Sequence, residues 1–253
     1  MTLSPPTVAI VGAGASGVLT AMHLLDRPGA SGLRVVLVER ARHLGAGVAF
    51  SSPSPSHVLN VPASLMSAFG RDQGHFVRWL DRQGYPNASA EFVPRYLYGR
   101  YLRETLWSQA HDLGGDVLSL VSDDVVAIGT ASGRPRLGLK TGGHLEADSV
   151  VLATGLLPPK WPSALSGCES DDHCISDPWA PGAIERIEPT ATVTLLGTGL
   201  TAIDAVLALE DKGQRGPVHA ISRHGLLPCS TPTGRPRRRA GDVGPRGSKR
   251  RRR

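Results

Sequence analysis

The stretch VAIVGAGASGVLTAMHLL, residues 8–25, decides the fold. Residues 7–11 (TVAIV) form an apolar run ending in glycine, as a strand buried in a parallel sheet does. Apolar residues then recur at Val18, Leu19, Met22 and Leu25, a helical spacing over 15–26 that Pro28-Gly29 stops. A second β-rich run, RVVLVE, follows at 34–39. The first forty residues therefore read β-α-β with short connections, the unit of a parallel sheet. Between strand and helix lies Gly12-Ala13-Gly14-Ala15-Ser16-Gly17. A GxGxxG alone is weak evidence. One that follows a strand, opens a helix and precedes an acidic residue at the end of the next strand is strong evidence for dinucleotide binding. Gly12 permits the turn, Gly14 lets backbone approach a pyrophosphate, and Gly17 lets helix and strand pack closely. The helix N-terminus, at Ala15 and Ser16, turns free N–H groups toward the anion. Glu39, 22 residues after Gly17, can accept hydrogen bonds from ribose hydroxyls and would repel a 2′-phosphate, so FAD or NAD suits this site. The bland alternative is a glycine-rich turn that holds nothing.

Outward from this unit the chain alternates between pattern and irregularity. Residues 41–70 are rich in Gly, Ser and Pro without a sustained period, and a stretch this long is more often functional than idle. Helices are expected at 73–83 and 95–112. Short runs at 117–121, 125–128, 136–140 and 144–152, punctuated by Gly133 and Gly142-Gly143, read as a small β-meander leading into a strand at 148–152. Residues 156–190 are Pro-rich and read as a linker. A second β-α unit then begins: strand 192–196, turn 197–199, helix 200–211 and strand 217–222. Its motif, Gly197-Thr198-Gly199-Leu200-Thr201-Ala202, is the GxGxxA variant. The following strand ends at Ser222-Arg223 with no acidic residue, and Arg is the residue expected where a 2′-phosphate is held. NADPH rather than NADH is the reading, with an ordinary surface charge as the alternative for Arg223.

Composition bounds what else the protein can be. The 253 residues carry a net charge of +6 and a pI near 9.6. Residues 233–253 alone carry +9, and the rest of the chain −3, so the basic character belongs to an Arg-rich end and not to the body. That end, 229–253, has almost no apolar residue and reads as disordered, with nonspecific polyanion binding as a candidate role. Three cysteines form no even framework and argue for a reducing, cytoplasmic setting. Cys168 and Cys174 flank His173 without a second ligand pair, so no metal site is expected. No apolar run reaches membrane-spanning length. Tyr96, Tyr98 and Tyr101 could form a ligand wall, but their near-helical spacing is the usual mark of core. His57, His75 and His173 read as isolated.

Taken in order, VAIVGAGASG, VVLVER (which brings in Arg40), LGAGVAFSSPSPSHVLNVPASLMSAF, HFVRWL, FVPRYLYGRYL, DSVVLATG, DPW, LLGTGLTAIDAV and AISRHGLLP resemble the bacterial FAD-NAD(P)-binding flavoprotein family. They span residues 8–228. The likeness extends more distantly to flavin-containing and N-hydroxylating monooxygenases. The resemblance implies an α/β chain: a Rossmann-like FAD domain with helical and β-meander insert over 1–160, a linker over 161–190, and a partial NAD(P) domain over 191–228. It implies that Gly12, Gly14, Gly17 and Glu39 hold the ADP part of FAD, and that Gly45 and Gly47 pass near the flavin. Asn60-Val61-Pro62 would lie against the isoalloxazine, Val125 and Val126 would meet the adenine by backbone, and Ala153-Thr154-Gly155 would link the two domains. Asn60 as a turn former and Thr154-Gly155 as a simple strand end are the alternatives. Gly197, Gly199, Ala202 and Arg223 would hold NADPH.

The implied activity is a FAD-dependent oxidoreductase, with monooxygenase as its finer form. The reductant is NADPH, the small-molecule substrate unknown, and no catalytic side chain is named. Family members continue past the second motif, whereas here the pattern dissolves after Leu226-Leu227-Pro228 into CSTPTGRPRRRAGDVGPRGSKRRRR. The expectation is an out-of-frame or truncated end, Gly241-Asp242 being a chance match, with weak FAD binding and impaired NADPH use. A non-catalytic FAD-binding fragment is the runner-up.

Overall fold

Strand β1 (Thr7–Val11) is the centre from which the rest is built. It is followed by α1 (Ala15–Leu25), β2 (Arg34–Val38), a short α2 (Gly47–Phe50), α3 (His75–Arg82), α4 (Arg95–Leu113) and β3 (Leu118–Val121). Then come β4 (Val125–Ala131), β5 (Arg134–Leu139), β6 (His144–Glu146), β7 (Ser149–Leu152), β8 (Val193–Leu196), α5 (Leu200–Lys212) and β9 (Val218–Ile221). This is a computed structural model, and it describes residues 5–40, 44–157 and 159–228. The Arg-rich end at 229–253, with Gly241-Asp242, lies outside the described residues.

Four strands form a parallel sheet in the order β3-β2-β1-β7. The register sets Ile10 beside Leu37 and Ile10 beside Val151. Because side chains alternate along a strand, β1 serves two layers. Ile10 faces the helices and joins Val18, Met22, Leu102 and Leu106 in the main core. Ala9 faces the other way, against Leu137 and Ala147 of the antiparallel meander β4-β5-β6. The fold is a three-layer Rossmann-like α/β unit: helices, parallel sheet, meander. Strands β8 and β9 pair in parallel as a separate two-stranded sheet beside α5, and every residue of β9 is exposed. Among the described residues no helix is long and apolar enough to cross a membrane.

One assignment from the sequence is corrected. Residues 117–121 do not open the meander: Leu118–Val121 is β3, the parallel neighbour of β2. It is the edge strand of the sheet, with Leu120 42 % exposed, and no pattern in LSLV itself tells a short edge strand from a hairpin strand. The strand expected at 148–152 is sheet strand β7, which follows meander strand β6.

The 41–70 stretch is irregular but held. Gly45 N–H donates to Ala13 O (2.8 Å), Leu59 N–H to Val93 O (2.9 Å) and Ala63 N–H to Glu91 O (3.0 Å). Helix α2 lies so close to α4 that a Cβ on Gly99 would sit 3.2 Å from the Phe50 Cβ and carbonyl oxygen. Tyr98 and Tyr101 are core, as their spacing suggests, while Tyr96 is only half-buried at the edge of that core. Tyr98 and Tyr101 pack among Phe50, Phe76 and Trp79, and burial pushes the Tyr98 phenol up to about 12.

Tyr101 is fully buried but satisfied: its hydroxyl accepts the Ala68 N–H (3.2 Å) and lies 2.8 Å from His75 Nδ1. Burial lowers the His75 pKa below its ordinary 6.5; Asp72 opposes the shift, and Arg78 and Arg82 add to it. The unfolded chain therefore binds the proton more readily than the fold does. The stability linked to neutral His75 is full above 6.5 and is lost as pH falls through the lowered folded value. Melting temperatures between about pH 7.5 and about pH 5.5 should fall less steeply in His75→Gln than in the native chain.

Candidate functional site

The first glycine turn sits at the C-terminal ends of β1 and β2. Gly12 N–H donates to Val38 O (2.8 Å), and Ala13 N–H donates to Glu39 Oε2 (2.8 Å). Glu39 is thus drawn onto the turn by the backbone it follows. Ala153 N–H donates to Val11 O (2.8 Å), which lays Ala153-Thr154-Gly155 along the same turn as the chain leaves β7.

The three glycines of the motif do different work. Gly12 has φ +97°, and a Cβ there would collide with the Ala153 carbonyl. A Cβ on Gly17 would collide with the Gly12 carbonyl, so helix α1 could not close onto β1. The protein's own packing demands both. Gly14 is another matter: φ is −66°, and a Cβ would meet only the Gly47 Cα at 3.5 Å, an ordinary contact. Among the described residues nothing requires glycine there. What its bare backbone provides is approach from outside, beside the equally bare Gly47. Helix α1 starts at Ala15 with no side-chain cap and no acidic residue in its first turn. Its first N–H groups have no helical partner and carry the positive end of the helix dipole, which suits an anion. The donor set therefore fits a pyrophosphate.

The second turn repeats the arrangement on β8 and β9. Gly197 N–H donates to Ile221 O (2.7 Å), and α5 starts after Gly199 with neither a side-chain cap nor an acidic first turn. A Cβ on Gly199 would meet nothing within 4 Å among the described residues, so these give the middle glycine no packing reason here either. Leu200 and Thr201 are exposed and Ala202 half-buried. Past β9, Ser222 Oγ accepts the Gly225 N–H (3.0 Å), and the Thr198 hydroxyl donates to Leu226 O, folding 222–226 back over the turn. Arg223 lies at that fold, exposed and without an ion pair among the described residues.

Gly17 lies against Gly12, Gly12 against Ala153 and Gly14 against Gly47, while Glu39 takes the Ala13 N–H. Ala15 and Ser16 follow as the first helical residues, and Arg40 stands exposed beside Glu39. Val126 lies 64 % exposed at the irregular step between Val125 and Ala127, where β4 starts next to β1. Asn60 is exposed and Val61-Pro62 half-buried, between the bonds that tie Leu59 and Ala63 to the segment before α4. Gly155 has φ +73°, and Thr154 and Gly155 are both exposed. Cys168 and Cys174 hydrogen-bond to each other through their thiols, which pushes the Cys174 pKa up. Among the described residues no three His, Cys, Asp or Glu side chains converge as a metal set.

A junction between the two units was not legible in the sequence. His57 is not isolated: it is buried, with Nδ1 2.5 Å from Ser52 Oγ and Nε2 3.0 Å from the Asp204 carbonyl. Arg95 pairs with Asp204 (2.7 Å) and donates from Nε to Val58 O (2.7 Å). Ser54 and Ser56 donate to Asp211 (2.8 and 3.2 Å). The one available signal was an aspartate on the face of α5 that also buries Ala205 and Leu209. Its partners lie on another unit, so spacing could not reveal them.

Residues 9–157 match the model of a family described as FAD-NAD(P)-binding. No curated protein matches the chain. Among solved structures, the chain is similar to an ornithine N-hydroxylase from Kutzneria sp. 744 with reduced FAD, NADP+ and L-ornithine. The TM-score is 0.62 and the identity 22%, over 85% of this chain and 52% of that one. An ornithine hydroxylase from Pseudomonas aeruginosa, in its reduced form, gives 0.57 and 19% over 87% and 54%. OTEMO in complex with FAD and NADP gives 0.58 and 16% over 88% and 39%. At these identities the likeness is one of fold, and the chain spans about half or less of each of these proteins.

The contrast between glycines is testable. Gly14→Val should leave the melting temperature of the nucleotide-free chain within about 2 °C, while weakening FAD at least ~10-fold by fluorescence titration. Gly17→Ala should instead destabilise the nucleotide-free chain by roughly 1–3 kcal/mol, through overpacking of α1 on β1.

Proposed function

The chain belongs to the FAD-NAD(P)-binding family, and from that premise we propose that it is a FAD-dependent oxidoreductase whose bound FAD is reduced by NADPH. The observation that carries this is the repetition of one device. Twice, a strand leads through a glycine turn into an uncapped helix, and twice the described residues give the middle glycine no packing reason to be glycine.

In this reading the N–H groups of Ala15, Ser16 and Gly17 receive the FAD pyrophosphate, with Gly14 and Gly47 leaving it room. Glu39 accepts from the adenosine ribose, and its negative charge excludes a 2′-phosphate from this site. The backbone of Val126 meets the adenine; Arg40 stands at its exposed rim. Asn60, Val61 and Pro62 present one polar and two apolar groups to the flavin, and Ala153-Thr154-Gly155 bounds it from the turn side. Gly197, Gly199, Leu200, Thr201 and Ala202 receive the NADPH pyrophosphate at the second helix, and Arg223 takes the 2′-phosphate by charge-assisted hydrogen bonds. When bound, FAD accepts the hydride and passes electrons on, so the chain's own work is binding, orientation and electrostatics. The finer form of this reading is a monooxygenase, in which molecular oxygen takes those electrons for a small-molecule substrate. A second reading, FAD binding without NADPH oxidation, draws on the exposure of each residue of β9 beside the second turn.

An anaerobic visible spectrum of the purified, FAD-loaded chain before and after NADPH decides between them: bleaching near the flavin maximum supports reduction, and an unchanged yellow spectrum supports the second reading. Arg223→Ala should raise the KM for NADPH by about 10-fold or more while leaving that for NADH within about twofold, since a charge-assisted hydrogen bond is worth roughly 1.5–3 kcal/mol. Equal effects on both coenzymes would remove Arg223 from the 2′-phosphate site.

A further inference from the structure

Helix α5 carries the second glycine turn at its N-terminus, so whatever fixes α5 fixes that turn. Polar groups on the first unit hold it at Asp204, while Lys212 at its far end bonds to the Ile184 and Glu185 carbonyls (2.9 and 2.7 Å). The Arg95 guanidinium spans the gap, with Nε bonded to Val58 O (2.7 Å) and a terminal nitrogen 2.7 Å from Asp204 Oδ2. Both partners are largely removed from water, their side chains 18 % and 9 % exposed. The carbonyl of the same Asp204 lies 3.0 Å from His57 Nε2. A carbonyl only accepts, so Nε2 is the donor there, while Nδ1 lies 2.5 Å from the Ser52 hydroxyl. Trp179 stands edge-on to that ring at 5.5 Å. A cavity of about 220 Å³ opens beside this contact, between Ser52, His57, Trp179 and Ala208. Directed bonds therefore cross the junction beside an open cavity. Those bonds arrive on 52–58, immediately before Asn60-Val61-Pro62.

We propose that Arg95 and Asp204 are positioning residues: their buried ion pair, with His57 on the Asp204 carbonyl, sets the distance and angle of α5 and its glycine turn relative to the 57–62 segment. The proposal rests on the NADPH-to-FAD reading for its functional consequence, but the docking itself does not. Neither residue touches a candidate nucleotide group. Their effect passes through the placement of one bound nucleotide against the other, where small displacements are costly.

The test uses Asp204→Asn, which keeps the shape and removes the charge, Arg95→Gln, and the two combined. In the nucleotide-free chain, amide hydrogen exchange across α5 should quicken by about 10-fold in each variant. In the FAD-loaded chain, FAD affinity should stay within about twofold, while the limiting rate of reduction by NADPH falls about 10-fold or more and the NADPH dissociation constant changes much less. The double variant should lose no more than either single one, because the pair acts as a unit. Native exchange in both single variants overturns the proposal. So do native reduction rates, losses that add in the double variant, or FAD affinity falling in step with rate. If the native FAD-loaded chain is not reduced by NADPH, the oxidoreductase reading fails, and exchange alone decides the docking: quickened in all variants it stands, unchanged it falls.

Discussion

Backbone meets backbone where helix α1 comes down on strand β1, and the rest of the structure depends on that approach. Gly17 lies over the Gly12 carbonyl and Gly12 lies over Ala153, with no side chain between them. A methyl group at either place would lift the helix from the sheet or push β7 from β1. The parallel sheet, the Gly12 N–H bond to Val38 and the capture of Glu39 by Ala13 N–H all follow from the chain passing through this turn in one conformation. The same conformation leaves the first N–H groups of α1 facing outward without a cap. Packing and function share a motif but not residues. Gly12 and Gly17 serve the fold, whereas the described residues give Gly14 no packing task.

The surroundings of the turn show how a central strand organises a site. Ile10 and Ala9 point to opposite faces, so β1 is covered by helices on one side and by the β4-β5-β6 meander on the other. Covering both faces is what a parallel sheet needs. It leaves the C-terminal strand ends, where Gly12, Glu39 and Ala153 gather, as the open side of the layer. The irregular 44–63 segment is held there by bonds to Ala13, Val93 and Glu91, and by α2 resting against Gly99 of α4. Irregular backbone persists next to the site because regular elements pay for it elsewhere.

How much of this was legible from residues alone differs from element to element. The first β-α-β unit, the two glycine turns and the core tyrosines could be read because each depends on local spacing: period two, period 3.6, or a fixed run of glycines. Strand β3 was placed with the meander because no pattern in LSLV itself tells a short edge strand of a parallel sheet from a hairpin strand. His57 read as isolated because its partners, Ser52 apart, are not neighbours in sequence. The carbonyl it meets belongs to α5, and the aspartate that offers it looks like one polar residue in an apolar helix.

The sequence by itself determined the doubly repeated strand–turn–helix device, its polarity and the chemistry of its ends: a glutamate after one second strand and an arginine after the other. These are consequences of residue type at fixed local offsets, and local offsets survive without a fold. Only the tertiary structure decided which strands are neighbours, which glycines the packing itself demands, and how α5 is pinned to the 52–58 segment through Arg95, Asp204 and His57. Those depend on atoms brought within a few ångströms from remote parts of the chain, and no periodicity encodes a distance between residues that share no element.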